Sequence, residues 1–559
     1  MQNKFFKSIV FAGMISMVGM ISCKKKIDDA YLNPNAATIE PIESILSGVI
    51  GSFTAFFSSA GTGYGVQADG ILLGRYIQFW GSQTNGENYG QMGGATPASD
   101  NTGGLWAAVY YGQGQNLNKI VQWGNEQQKW DYVGVAWAIR AWGWLELTNI
   151  YSDAILREAF NTNLSQFHYN PQPEFYDSCR AICFRALNYL SRTDGNVSAT
   201  NLAIGDAYFY NGDVNKWKKF VYGILARSYI DISNKAIFAA NNYAYADSAI
   251  KYASLAMTSN ADNATVKVKG GLTSAVNNYF GPFRGNIGTI RQASFPADLM
   301  SGNNPSAFVG VSDPRRWYML RENLNGTFKG FTVWLGSTGL STNDYPFNYW
   351  GPVIPATGPI VPSSTGAPTI DTSRYLYQNT SPWPMMTASE MQFIVAEAAF
   401  RKGDKQTALA AYTNAISLNF DMLTTTYPQH IPAANAITPA VKAAFLSNPA
   451  VVPTTPAGLT MTHIMLQKYI ALYAWGVQET WTDMRRFHYT DPDPATGNQV
   501  YAGFVPPSGV NLFPNNGGKL VYRCRPRYNS EYLYDIPELT RIGALNPDYH
   551  TYECWFSLP

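Results

Sequence analysis

The stretch Ser389–Phe420, SEMQFIVAEAAFRKGDKQTALAAYTNAISLNF, decides the fold. Met391, Ile394, Val395, Ala398 and Ala399 recur at i, i+3, i+4, i+7 and i+8. That spacing puts them on one face of a helix, whereas a half-buried strand would alternate every second residue. Gly403-Asp404 interrupts the run, and Ala408, Ala411, Tyr412, Ala415 and Ile416 repeat the same spacing. Thr387 and Glu390 stand at capping-box distance just upstream, so the reading is an antiparallel helix pair with a tight turn. Ala408, Tyr412 and Ala415 fit the tetratricopeptide pattern A-x3-[FY]-x2-A, and Ala396 supplies the small residue of the first helix. Small residues let paired helices approach, and an aromatic fills the space beside them. One such pair cannot bury its own apolar face, so other pairs must stack on it.

Working outward, the same periodicity predicts helices over Trp106–Trp123 and Tyr132–Tyr151 as one pair, and over Phe175–Leu190 and Trp217–Ile232 as a second. A third begins at Tyr243–Met257, and a further apolar stripe runs through Leu466, Tyr469, Ile470, Tyr473 and Val477. Between Ser259 and Met385 the periodicity disappears into Gly, Pro, Ser and Thr with interspersed aromatics, and Phe79–Gly94 has a similar composition. A loop region this long in a compact protein is usually functional or disordered.

Composition narrows the classes. The 559 residues carry 14% charged and 14% aromatic side chains, against roughly 25% charged in an average soluble domain. Without Lys4 and Lys7 of the leader described next, 38 basic residues face 38 acidic ones, a neutral balance. Such a surface offers no electrostatic footprint for nucleic acid, and so apolar a chain is not disordered. An outer-membrane barrel would show alternating segments of about ten residues, which the helical spacing contradicts.

Met1–Cys23 reads MQNKFFKSIVFAGMISMVGMISC: two lysines, then 14 uncharged residues from Ile9 to Ser22. This is shorter than the ~20 residues of a membrane span and suits an export leader. Met20-Ile21-Ser22-Cys23 resembles a lipobox, which makes Cys23 the expected site of lipid attachment. Lys24–Lys26 followed by Asp28 and Asp29 reads as a solvated tether. Of the other cysteines, Cys179 and Cys183 share a helix face and suit a core role, while Cys524 and Cys554 are candidates for a disulfide that sequence alone leaves open.

Several motifs, in order along the mature chain, resemble the SusD/RagB family of outer-membrane lipoproteins. They are the lipobox leader; Trp106, Tyr110 and Asn116–Asn118; RAWGWLELTNIYSDAI (Arg140–Ile155); and VSDPR (Val311–Arg315). The helix pair itself follows, then WGVQETWTDMRRF (Trp475–Phe487) and RPRYNSEYLY (Arg525–Tyr534). The resemblance implies a mostly α fold, in which tetratricopeptide-type helix pairs form a right-handed superhelical scaffold with a large loop-rich ligand-binding region packed on one side. It divides the chain into a signal peptide (1–22), a tether (23–40), N-terminal helical pairs (41–258) and a loop-rich insertion (259–385). C-terminal helices (386–487) and an irregular end (488–559) complete one unit. It also implies a lipid-anchored protein at the outer membrane, facing the cell exterior, that captures an oligosaccharide without cleaving it. The implied partner is a TonB-dependent, SusC-like transporter. The peptide-uptake branch typified by RagB is the alternative ligand class, and a surface glycoside hydrolase is the alternative activity.

Residue chemistry supports the glycan reading. A sugar presents a C–H face and a hydroxyl rim, which call for flat aromatics beside amides and carboxylates. Trp80, Tyr89, Trp334, Tyr345, Tyr349, Trp350 and Trp383 lie on loops or helix ends, with Asp344 and Asn348 nearby. Trp334 and Trp350 are singled out, because a loop tryptophan has less helical core to fill. Trp106, Trp137, Trp142, Trp144, Trp217 and Trp481 sit on helical stripes and are assigned to structure. Arg140, flanked by Trp137 and Trp144, is expected to stack on an indole, and Glu397 to serve a helix interface. No H-E-x-x-H, nucleophile elbow, P-loop or dinucleotide fingerprint occurs. The histidines are scattered, with His463 and His488 read as structural. No catalytic residue, metal or cofactor is expected, although carbonyl-rich loops would suit a structural calcium.

Overall fold

The computed structural model describes residues 40–53, 66–84, 90–93, 100–272, 277–352, 357 and 371–559. The leader, Cys23 and Tyr89 lie outside the described residues. The principal helices of the first half are α1 (Ile42–Gly51), α2 (Val66–Tyr76), α3 (Gln115–Glu126), α4 (Trp130–Tyr151), α5 (Gln172–Leu190), α6 (Ala199–Asp206), α7 (Val214–Ile230) and α8 (Ala236–Leu255). The second half adds α9 (Ala388–Lys402), α10 (Lys405–Thr426), α11 (Met461–Ala471) and α12 (Val477–Arg486).

The α9–α10 pair forms as its sequence demands. The Thr387 hydroxyl accepts from the Glu390 N–H at 3.2 Å, Gly403 ends α9 with φ 89°, and Asp404 caps α10 through the Thr407 N–H. The reciprocal half of the expected capping box is missing. Glu390 is fully buried and turns its carboxylate to Arg227 of α7 at 2.6 and 3.0 Å, because an interior guanidinium is a stronger partner than a backbone amide. Ala408, Ala411 and Ala415 are buried, and the Tyr412 hydroxyl donates to the Val451 carbonyl at 2.7 Å.

The other helices continue the stack: α3 packs on α4, α4 on α5, α5 on α7, α7 on α8 and α8 on α9, while α11 closes against α9 and α10. The protein is thus mostly helical, built of tetratricopeptide-like pairs. Two expected helices differ in detail. Trp106–Trp123 is divided by a π-helical turn, Ala108–Gly114, and α8 breaks at Asn241–Tyr243, where three residues have positive φ.

Among the described residues six short strands make three antiparallel pairs: β1 (Trp80–Ser82), β2 (Ala154–Ile155), β3 (Tyr169–Asn170), β4 (Ala264–Val266), β5 (Ile290–Gln292) and β6 (Trp383–Met386). Pairing of β4 with β6 sets Val266 opposite Trp383, so the loop-rich segment leaves and re-enters the scaffold at one place. That clamp keeps the irregular region on one side of the helices. Gly223 of α7 makes room for it: a Cβ there would lie 2.0 Å from the Met386 sulfur.

Between the helices runs a buried ionic layer. Arg227 also meets Glu146 at 2.9 Å and Glu479 at 3.6 Å, Lys468 meets Asp483 at 2.7 Å, and Arg486 meets Glu397 at 2.6 Å. Glu397 therefore does serve a helix interface. Buried charges persist only when paired, and here they lock α4, α7, α9, α11 and α12 in register. The four described cysteines are buried, free thiols, including Cys524 and Cys554; Cys554 donates to the Tyr522 carbonyl at 3.0 Å.

Candidate functional site

The loop-rich side is built on β5. Gln292 donates through Nε2 to the carbonyls of Arg321 and Lys329, at 2.6 and 2.9 Å, and its Oε1 accepts from the Arg321 N–H. This fixes the backbone that presents Lys329. Arg321 then donates to the Tyr349 carbonyl at 2.7 Å, anchoring the segment that carries Asn348–Trp350.

The structure sorts the sequence-derived candidates into a floor and a surface. Trp80, Asn348, Tyr349, Trp350 and Trp383 are each at most 2% exposed, so none can stack on a ligand. They form one aromatic floor. Phe280 meets Trp80 edge-on at 5.6 Å and Trp383 at 5.0 Å, and Tyr349 stacks on Tyr377 at 3.9 Å. The Trp350 indole N–H donates to the Phe280 carbonyl and that of Trp80 to the Ile71 carbonyl, while Asn348 is bonded to Gly288. The expectation that Trp350, the favoured loop tryptophan, faces a ligand is corrected. A loop-rich segment of this length must bury a core of its own, and these rings supply it.

Trp334, Asp344 and Tyr345 remain at the surface, each half-buried. Trp334 lies in the tight turn closed by Thr332 and Gly336, and Tyr345 sits edge-on at 5.4 Å to Phe331, which is three residues before Trp334. The indole N–H and the phenol hydroxyl donate to no group among the described residues. Asp344 accepts from Lys329 at 3.2 Å, Ser341 at 3.0 Å and Asn325 at 3.1 Å; the Lys329 ammonium and the Ser341 hydroxyl hold its carboxyl below the usual range. Lys329, Asn325 and Ser341 escaped sequence reading, since only the fold brings them to Asp344. The result is the Tyr345 ring with a free donor beside a charged and amide rim, and a second half-buried aromatic, Trp334, on the turn that follows the Phe331 ring on which Tyr345 packs. Such a face can hold a polyhydroxylated ring by contact and hydrogen bonding.

Elsewhere, Arg140 stacks as expected, 5.4 Å from the Trp144 ring and 4.4 Å from Phe160. It lines an open cavity of about 590 Å³ beside Trp137 and Trp144, residues that helical spacing had assigned to structure alone. His463 pairs with Thr460, and His488 with Asp491 and Glu553. Among the described residues no three His, Cys, Asp or Glu side chains gather where a metal could sit, and no helix is long and apolar enough to cross a membrane.

A family model described as starch-binding, associating with the outer membrane, matches residues 66–508. The chain belongs to the SusD-like family. Solved structures agree on the fold. A SusD/RagB family protein of Bacteroides thetaiotaomicron aligns at 20% identity and TM-score 0.61, covering 93% of this chain and 99% of that one. A chitin-binding SusD homologue of Flavobacterium johnsoniae aligns at 16% identity and TM-score 0.63, covering 92% and 98%. A Bacteroidetes SusD-like protein reaches TM-score 0.67 at 17% identity, covering 93% and 100%. No curated protein matches this sequence. The SusD-like assignment accounts for the helical scaffold and its one-sided loop region together.

Proposed function

We propose that this SusD-like chain is a cell-surface lipoprotein, anchored through Cys23, that binds an oligosaccharide and passes it to a SusC-like TonB-dependent transporter. The observation that carries this reading is the starch-binding, outer-membrane family model matched over residues 66–508. Half-buried Tyr345 beside Asp344, with half-buried Trp334 on the turn that follows Phe331, supplies groups of suitable chemistry. Asp344 is already engaged by Lys329, so it is placed to accept sugar hydroxyls rather than to donate a proton to a glycosidic oxygen. On this reading the protein captures without cleaving.

Electrophoresis of the mature protein through gels containing soluble starch or glycol chitin tests this reading. Retarded migration with no reducing ends released is expected. Released reducing ends would make it a hydrolase. Unretarded migration together with binding of a peptide mixture would move it to the peptide-uptake branch.

A further inference from the structure

Away from the loop face, one part of the helical scaffold carries features that packing does not require. The 590 Å³ cavity opens between α4, α5 and the Leu156–Phe160 loop, and its volume falls within the roughly 300–1,000 Å³ of small-molecule sites. Trp137, Trp144 and Phe160 give it aromatic walls, and Arg140 contributes a cation. Arg140 is 8% exposed yet meets no carboxylate among the described residues. Its two protein hydrogen bonds, to the Gly114 carbonyl at 2.9 Å and Asn118 Oδ1 at 3.0 Å, both use Nη2, leaving Nε and Nη1 without a partner there. Burial alone penalises the charge and pushes the guanidinium down to about 10. A buried cation without a counter-ion is costly; other interior guanidiniums are matched either with carboxylates, as in Arg227, Arg315 and Arg486, or with carbonyls through two or more nitrogens, as in Arg321 and Arg485, whereas Arg140 engages Nη2 alone.

The backbone around Arg140 is unusual as well. Phe160, whose ring covers the guanidinium, has φ 68° although it is not glycine. Gly114, which supplies the accepting carbonyl, ends the π-helical turn Ala108–Gly114, and a Cβ on it would lie 2.8 Å from the Phe160 ring. Left-handed non-glycine residues and π-helical turns persist where surroundings over-determine them, and they gather at functional sites. The rim adds little net charge: Arg157 pairs with Glu174 at 2.6 Å and Asp177 lies 3.6 Å from Arg180. Arg185, over the half-buried Trp137 at 4.7 Å, adds a cation.

We propose that this cavity is a second ligand site, one that takes a carboxylated sugar unit such as a uronic acid. The ring lies against Trp137, and its carboxylate meets the unused donors of Arg140. The demand for an anion rests on Arg140 and its surroundings; that the anion is a sugar rests on the glycan reading above.

Calorimetric titration of the mature protein with trigalacturonate and with its methyl ester, which has the same rings without the charge, tests the proposal. Alongside wild type, Ala181→Trp fills the cavity from an exposed helix position, avoiding the risk that changing Arg140 disturbs folding. Trp334→Ala alters only the loop face. The acid is expected to bind at least ten-fold tighter than the ester, the contrast vanishing in Ala181→Trp and persisting in Trp334→Ala. Equal affinities, no binding of the acid, or a contrast that survives Ala181→Trp would overturn the site. Should starch and chitin still retard the wild-type protein in that case, the loop-face reading stands and only the second site falls.

Discussion

Trp350 and Trp334 look alike in the sequence, each a tryptophan in a loop, yet the fold gives them different surroundings. Trp350 donates its indole N–H to Phe280 and is 2% exposed; Trp334 stays half-buried with its N–H unused. Trp350→Ala should cost about 3–5 kcal/mol of stability, read as a lower urea midpoint, because it empties a packed site. Trp334→Ala, at a half-buried position packed on the core edge, should cost less, about 1 kcal/mol, while weakening glycan binding roughly ten-fold. The residue types of the proposed ligand face could be named from the sequence, but which of them are exposed could not. Burial of the floor depends on Phe280, Tyr377 and Tyr473, which lie far along the chain. His550 carries a second residue-level consequence. Its Nδ1 accepts from Arg525 and its Nε2–H donates to Asn516, which fixes the neutral ring; burial, then the Arg525 charge, lowers its pKa to about 3. Between the unfolded value near 6.5 and that value, the unfolded chain takes up a proton that the native state refuses. Stability therefore falls by about 1.4 kcal/mol for each pH unit lost across this window. His550→Gln should flatten that acid limb in pH-dependent denaturation; an unchanged slope would show that the ring does not contribute.

At the scale of elements, the α9–α10 pair could be read nearly to its caps, because its apolar spacing, Thr387 cap and Gly403 stop all act within a few residues. The π-helical turn and the three strand pairs could not. Both are set by distant partners: Phe160 faces Gly114, and Trp383 pairs with Val266. The ionic layer lies between these cases, since Glu397 could be placed at an interface but its partner Arg486, 89 residues away, could not. Arg486→Met leaves Glu397 buried with its ion pair to Arg401 but without its fully buried partner, and should cost about 3–5 kcal/mol in denaturant unfolding. A replacement of both Arg486 and Glu397 by apolar residues should recover part of that loss; equal destabilisation by the single and double variants would show that the pair itself matters little. Gly223→Ala should also destabilise, since Met386 sulfur already occupies the space of its side chain.

Over the whole molecule, the stacked helices give a rigid back, and the β4–β6 clamp holds the irregular segment on one face, so the proposed capture and attachment would occupy different parts of one chain. Cys23→Ala should move the protein from the membrane to the soluble fraction with its glycan binding intact; retention in the membrane fraction would count against a lipid anchor. The most direct test of capture at the loop face is the affinity of a folded Trp334→Ala/Tyr345→Ala double variant for soluble starch and glycol chitin, measured against wild type. The account predicts that whichever polysaccharide the wild type binds is lost by at least ten-fold, with an unchanged circular dichroism spectrum and no reducing ends from either protein. Undiminished binding by the double variant would contradict it.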